Sequence, residues 1–180
     1  MDEYVFKMVL IGDKMVGKTS LIRRFVHDQF EGRYMGTIGL NVSTKDLQIT
    51  VDEVHYRVSL VIYDIEAEAT FEDLFGPFAQ GSVAAIIVFD LSRESTLESI
   101  DDWVRRLKVV TKSSTVENTV LIGNKKDLVS QREIRPEDAE LVAKRHSMAG
   151  YIEASAKEND QVGESFQLLT EKILRQALPY

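Results

Sequence analysis

The sequence predicts an α/β fold: a doubly wound three-layer sandwich with a six-stranded, mostly parallel sheet, one antiparallel edge hairpin and helices on both faces. Three observations predict it. Short, nearly continuous apolar runs recur along the chain, as strands buried on both faces require. Segments of helical periodicity separate them, and that alternation gives parallel strands joined by crossover helices. Between residues 40 and 64 the pattern changes to period-two alternation, the mark of a half-exposed hairpin. In such a sheet, ligands bind at the carboxyl ends of the strands.

Each element can be justified in order. YVFKMVLIG (4–12) is a buried strand, and GDKMVGKTS (12–20) leads from it into a helix. Leu47, Ile49 and Val51, then Val58, Leu60 and Ile62, alternate on either side of a turn at Asp52-Glu53. In TFEDLFGPF, Thr70 and Asp73 are start signals, and Gly76-Pro77 is expected to stop that helix early. VAAIIVFD (83–90) and TVLIGN (119–124) are two more buried strands. Between them Leu97, Ile100, Trp103, Val104, Leu107 and Val110 form one helical stripe. IRPEDAELVAKRHSMAG places Pro136 at a first helical position, acids after it and Gly150 beyond the end. A further strand precedes EASAKEND (153–160), and Val162, Phe166, Leu169 and Ile173 stripe the last helix.

Composition narrows the function. A chain of 180 residues fits one domain, residues 1–180, able to bury roughly 70% of its unfolded surface. The net charge of −7 with no basic patch argues against a nucleic-acid partner. There is no cysteine, which removes disulfides, thiolate metal sites and lipidated thiols together. No apolar run approaches a membrane span, and MDEYVFK lacks a signal-peptide pattern. The expectation is a monomeric cytoplasmic protein with no direct lipid anchor in this chain. Any peripheral membrane association would come through a partner or a longer C-terminal tail. His27, His55 and His146 form no ligand pattern and are read as solvated or capping, and Trp103 as packing.

GDKMVGKTS fits G-x-x-x-x-G-K-[ST] between a strand and a helix, where a phosphate-binding turn belongs. Gly12 and Gly17 permit backbone angles that turn amides inward along Asp13, Lys14, Met15 and Val16. Lys18 would reach the β- and γ-phosphates, and Thr19 would offer a hydroxyl to Mg2+. Ser20 stands with them at the helix N-terminus, which favours negative charge. GNKKDL (123–128) stands at another strand's carboxyl end. An aspartate there can accept two hydrogen bonds from neighbouring N–H groups, which guanine has and adenine lacks.

With these motifs the chain resembles a Ras-superfamily small GTPase, most of all the Rab branch, from Phe6 to about Leu174. TIGL (37–40) and SIDDWVRRL (99–107) favour Rab over Ras. The resemblance implies a P-loop small G domain that binds GTP and GDP with Mg2+. Asn124 would orient the base, the Lys125 stem would lie along it, and Asp127 would select guanine. Ser155, Ala156 and Lys157 would complete that pocket. Phe30, seven residues before Thr37, would stack on the base, and Tyr34 would lean over the phosphates. Thr37 would hold the metal and the γ-phosphate, and Asp64 would hold the metal through water. Effectors, exchange factors and activating proteins would read surfaces 30–42 and 65–80.

Three positions depart from that family around a single phosphate. The metal aspartate is ordinarily followed by D-x-x-G-Q, whose glutamine orients the attacking water. Here the aligned residues are Ala67 and Glu68, and the turn carries Lys14 where a small residue is usual. A carboxylate accepts but cannot donate, so Glu68 cannot do an amide's work. Lys14 either supplies positive charge to the γ-phosphate or pairs with Glu68 and closes the catalytic position. Catalytic roles thus fall on Lys18, Thr37, Glu68 and Lys14. The expected activity is a switch that hydrolyses GTP slowly, the alternative being a pseudo-GTPase scaffold that holds guanine nucleotide without turnover.

Overall fold

The computed structural model describes residues 2–31, 39–67 and 74–179. Six strands form one sheet: β1 (Glu3–Ile11), β2 (Leu40–Val51), β3 (Val54–Ile65), β4 (Ala84–Asp90), β5 (Thr119–Asn124) and β6 (Gly150–Glu153). Their spatial order is β2-β3-β1-β4-β5-β6. Only β2 and β3 pair antiparallel, in register from Leu40↔Ile65 to Val51↔Val54, so the predicted hairpin is an edge of an otherwise parallel sheet. Its turn is Asp52-Glu53, both residues with positive φ (49° and 69°), as a two-residue hairpin turn demands.

The apolar runs are continuous because the central strands are covered on both sides. Successive side chains of a strand point to opposite faces. Met8 and Leu10 of β1 enter one core layer and Val9 and Ile11 the other, all fully buried. The first layer lies under α1 (Lys18–His27) and α7 (Val162–Ala177), where Phe25 stacks on Phe166 with ring centroids 4.0 Å apart. Burying one such ring stabilises the fold by about 2–3 kcal/mol. The second layer lies under α2 (Gly76–Ala79), α4 (Ile100–Val110) and α6 (Pro136–Arg145), with Phe75, Trp103, Leu107 and Ala139 at its centre.

Two local expectations are corrected. The stripe from Leu97 to Val110 is two helices, α3 (Glu94–Glu98) and α4, parted at Ser99. The Ser99 hydroxyl bonds back to the Ser95 carbonyl at 3.0 Å, a contact that bends helices, and the Ser99 carbonyl restarts the ladder to Asp102 and Trp103. Gly76-Pro77 does not end the helical run: a π-helical turn at Leu74–Phe75 leads into it, and Pro77 sits in the first turn of α2, where its missing N–H has no partner to lose. That helix nonetheless ends by Ala79. Gly150 lies beyond the end of α6, as expected, and opens β6; the left-handed position between them is Ser147 (φ 55°). The short α5 (Ser113–Glu117) precedes β5. The start signals Thr70 and Asp73 lie outside the described residues.

Candidate functional site

The turn after β1 is held by close approaches that its two glycines permit. Gly12 has φ 139°, and a Cβ there would stand 2.2 Å from the Val88 carbonyl oxygen of β4. Gly17 has φ 98°, and a Cβ there would stand 2.2 Å from the Asn124 side-chain nitrogen. The glycines therefore do more than turn the chain: they admit neighbouring strand ends against the loop. Met15 is also left-handed (φ 63°), and Val16 is fully buried beneath it. Asp13 is half-buried, whereas Lys14 and Met15 face solvent.

Lys18 is the first residue of α1, so its side chain folds back under the turn. Its Nζ donates to the carbonyls of Gly12 at 2.8 Å and Asp13 at 2.9 Å. Burial lowers its pKa to about 8, against the pull of the Asp64, Asp13 and Glu66 charges, which raise it. Thr19, next along α1, donates its hydroxyl to Oδ2 of Asp64 at the end of β3, 2.5 Å away. Ser20 is half-buried in the same turn of helix. A hydroxyl and a carboxylate meeting beside a buried ammonium suit a hard cation. Among the described residues no group of three or more acidic, His or Cys side chains could cage a metal alone. That donor set fits Mg2+, which uses one or two protein oxygens together with phosphate.

The second half of the site comes from the ends of β5 and β6. Asn124 closes β5, donates to the Val16 carbonyl at 2.8 Å, and accepts from the Ala156 N–H at 3.2 Å. Its amide thus ties both halves together. Asp127 accepts from the Ser155 hydroxyl at 2.7 Å, and Lys157 Nζ lies 3.9 Å from it. A small bridge between Ser155 and Asp160 holds that loop. Phe30 is exposed beyond α1, with Arg24 6.0 Å from its ring. Ala67 is half-buried against the second core layer. Tyr34, Thr37 and Glu68 lie outside the described residues.

Several residues that sequence reasoning passed over anchor this site. Buried Asp90, at the end of β4, accepts from Ser92 and pairs with Arg93 at 3.0 Å and Lys125 at 2.7 Å. Burial alone would raise its carboxyl, but the bonds from Lys125, Ser92 and Arg93 outweigh it and hold the pKa below the usual carboxylate range. Arg93 also donates to the Lys14 carbonyl at 2.9 Å. Arg24 donates to the carbonyls of Ala156 and Lys157, both at 3.0 Å. A charged residue closing the apolar run VFD was a readable signal for Asp90. Nothing local marks Arg24.

The sequence profile of the Ras family matches residues 7–175. The chain is 34% identical over 172 residues to "Ras-related protein Rab-13" of Rattus norvegicus, covering 96% of this chain and 81% of that protein. It is 35% identical over 174 residues to "Ras-related protein Rab-32" of Homo sapiens, covering 96% and 76%. To "Ras-related protein RABA5d" of Arabidopsis thaliana it is 33% identical over 172 residues, covering 96% and 75%.

Proposed function

The chain belongs to the Ras family of small GTPases, in its Rab branch, and from that premise we propose that it is a guanine-nucleotide switch with slow GTP hydrolysis. One observation carries the reading. The turn Gly12–Gly17 and the loops bearing Asp127 and Ser155 are drawn together by Asn124 at the carboxyl ends of β1, β5 and β6 of one parallel sheet. That arrangement offers a phosphate cradle at one end and a carboxylate for the base at the other.

In this reading Lys18 exchanges its two carbonyl partners for phosphate oxygens, and Thr19, Thr37 and, through water, Asp64 would hold Mg2+. Bound Mg2+ supplies charge neutralisation at the phosphates. Asn124, Lys125 and Asp127 hold the base with Ser155, Ala156, Lys157 and Phe30, Tyr34 leans over the phosphates, and Thr37 and Ala67 sense the γ-phosphate. The attacking water lacks an amide to orient it, because Glu68 stands where a glutamine would, and positioning of that water is a main source of rate in this reaction class. Residues 1–180 act as one domain and a monomer. Effectors and regulators read surfaces 30–42 and 65–80, the second altered by the brevity of α2. Among the described residues no helix is long and apolar enough to cross a membrane; in this reading any membrane role runs through a partner or further chain.

The second reading, a scaffold that holds nucleotide without turnover, is favoured by the three departures Lys14, Ala67 and Glu68. Single-turnover GTP hydrolysis separates the two. Wild type should be slow but measurable and Glu68→Gln faster by roughly tenfold or more. Lys14→Gly slows the reaction further if the ammonium supplies charge and speeds it if the ammonium pairs with Glu68. A wild type as fast as Glu68→Gln would reject slow turnover, and no turnover at all would select the scaffold.

A further inference from the structure

Gly39 and Glu66 stand opposite each other one position beyond the last pair of the β2–β3 ladder, Leu40↔Ile65. The Glu66 N–H donates to the Gly39 carbonyl at 3.0 Å. In a regular antiparallel ladder such a pair exchanges two backbone bonds. Here the Gly39 N–H donates to Oε2 of the Glu66 side chain at 2.7 Å. A carboxylate is a stronger acceptor than a neutral carbonyl, so the substitution tightens the contact. Gly39 has φ 73°, where a side chain is strained, so the strand turns away at this point.

The location gives the contact its meaning. It joins the C-terminal part of surface 30–42 to the first residues of surface 65–80, two residues after Asp64. The Glu66 charge is felt at Lys18 together with those of Asp64 and Asp13. Resting on the switch reading above, we propose that Glu66 is a positioning residue. Its carboxylate latches the end of the first switch to the start of the second, so that the two change together and bound nucleotide leaves slowly. For either segment to part from the other, two bonds must break at once. Removing the side chain leaves the single bond from the Glu66 N–H, and the Gly39 segment can then open by itself.

The test measures two rates in the full chain loaded with Mg2+ and N-methylanthraniloyl-GDP: amide hydrogen exchange at Gly39, and release of the labelled nucleotide. Glu66→Ala should exchange at Gly39 about tenfold faster and release nucleotide several-fold faster. Glu66→Gln, whose neutral amide oxygen still accepts but more weakly, should fall between wild type and Glu66→Ala in both. Thr50→Ala, at the far end of the same hairpin where Thr50 Oγ1 meets His55 Nδ1 at 2.9 Å, should leave release unchanged. The latch is overturned if Glu66→Ala moves neither rate, or if Glu66→Gln fails as Glu66→Ala does. A wild type that binds no guanine nucleotide overturns the switch reading instead, and the Gly39 exchange rates then still read the latch alone.

Discussion

Trp103 donates its indole N–H to Oδ1 of Asp13 across 2.8 Å, joining α4 to the turn that follows β1. The ring is nearly buried, packs on Phe75 at a centroid distance of 6.1 Å, and lies 4.9 Å from the Arg106 guanidinium. It is therefore both a packing residue, as its periodicity implies, and a strut for the Gly12–Gly17 turn. Trp103→Phe keeps most of the packing and loses the bond. We expect labelled-nucleotide titration to show about fivefold weaker binding, as loss of one net hydrogen bond implies, with only a small change in melting temperature. Trp103 is also the only tryptophan, so its emission should change when nucleotide binds.

Asp90 gives a stability prediction with a defined pH sense. Its folded pKa is depressed, because Lys125, Ser92 and Arg93 outweigh the effect of burial. A depressed carboxyl contributes stability above its unfolded pKa of about 4, and that contribution is lost as pH falls through the folded value. Asp90→Asn should cost about 2 kcal/mol at neutral pH, discounted because Lys125 and Arg93 remain about a third exposed. Denaturant unfolding should show the gap between wild type and variant narrowing below about pH 4. A gap constant with pH would mean the charge of Asp90 is not what holds the network.

Lys18 has the same sense in a more alkaline window. Burial brings its pKa down to about 8, from an ordinary value of 10.5. The unfolded chain therefore holds more protons between those values, and stability rises with pH across that window. A polyphosphate beside the ammonium favours its charged form, so binding should take up a proton. Calorimetry in two buffers of different ionisation enthalpy should find uptake of about half a proton near pH 8 and almost none at pH 6. Equal uptake at both would remove Lys18 from the phosphate contacts.

The hairpin turn makes a prediction independent of the site. Glu53 holds a left-handed conformation that suits glycine better. Glu53→Gly should raise stability by about 0.5–1 kcal/mol, after the greater freedom of the unfolded glycine is deducted. For a chain of this size that is a melting-temperature rise of about 1–4 °C.

What could be read from the sequence was what local physics determines. The β5 run TVLIGN appears as a strand with the bounds its apolar continuity implied, and the hairpin turns at Asp52-Glu53 as its alternation required. The motif residues Gly12, Lys18, Thr19, Asn124 and Asp127 converge because each follows or closes an apolar run that becomes β1 or β5, parallel strands on either side of β4. What stayed hidden depends on tertiary partners. The break at Ser99 comes from a hydroxyl choosing a carbonyl over water. The indole bond of Trp103 reaches across 90 residues, and those of Arg24 across more than 130. No periodicity records such distances. Glu66 sits in a stretch whose interest lay in Ala67 and Glu68, and only pairing with Gly39 sets it apart.

The central claim is that Asp127 chooses the base of a nucleotide whose phosphates lie in the Gly12–Gly17 turn. The most direct measurement is competition of GDP, xanthosine diphosphate and ADP for the labelled nucleotide, with wild type and with Asp127→Asn. An aspartate accepts from both guanine N–H groups, whereas an asparagine can donate to the carbonyl that xanthine carries instead. We predict that wild type prefers GDP over both rivals by at least about a hundredfold and that Asp127→Asn prefers xanthosine diphosphate. If ADP competes with GDP on equal terms, or the variant keeps the wild-type preference, the claim is contradicted.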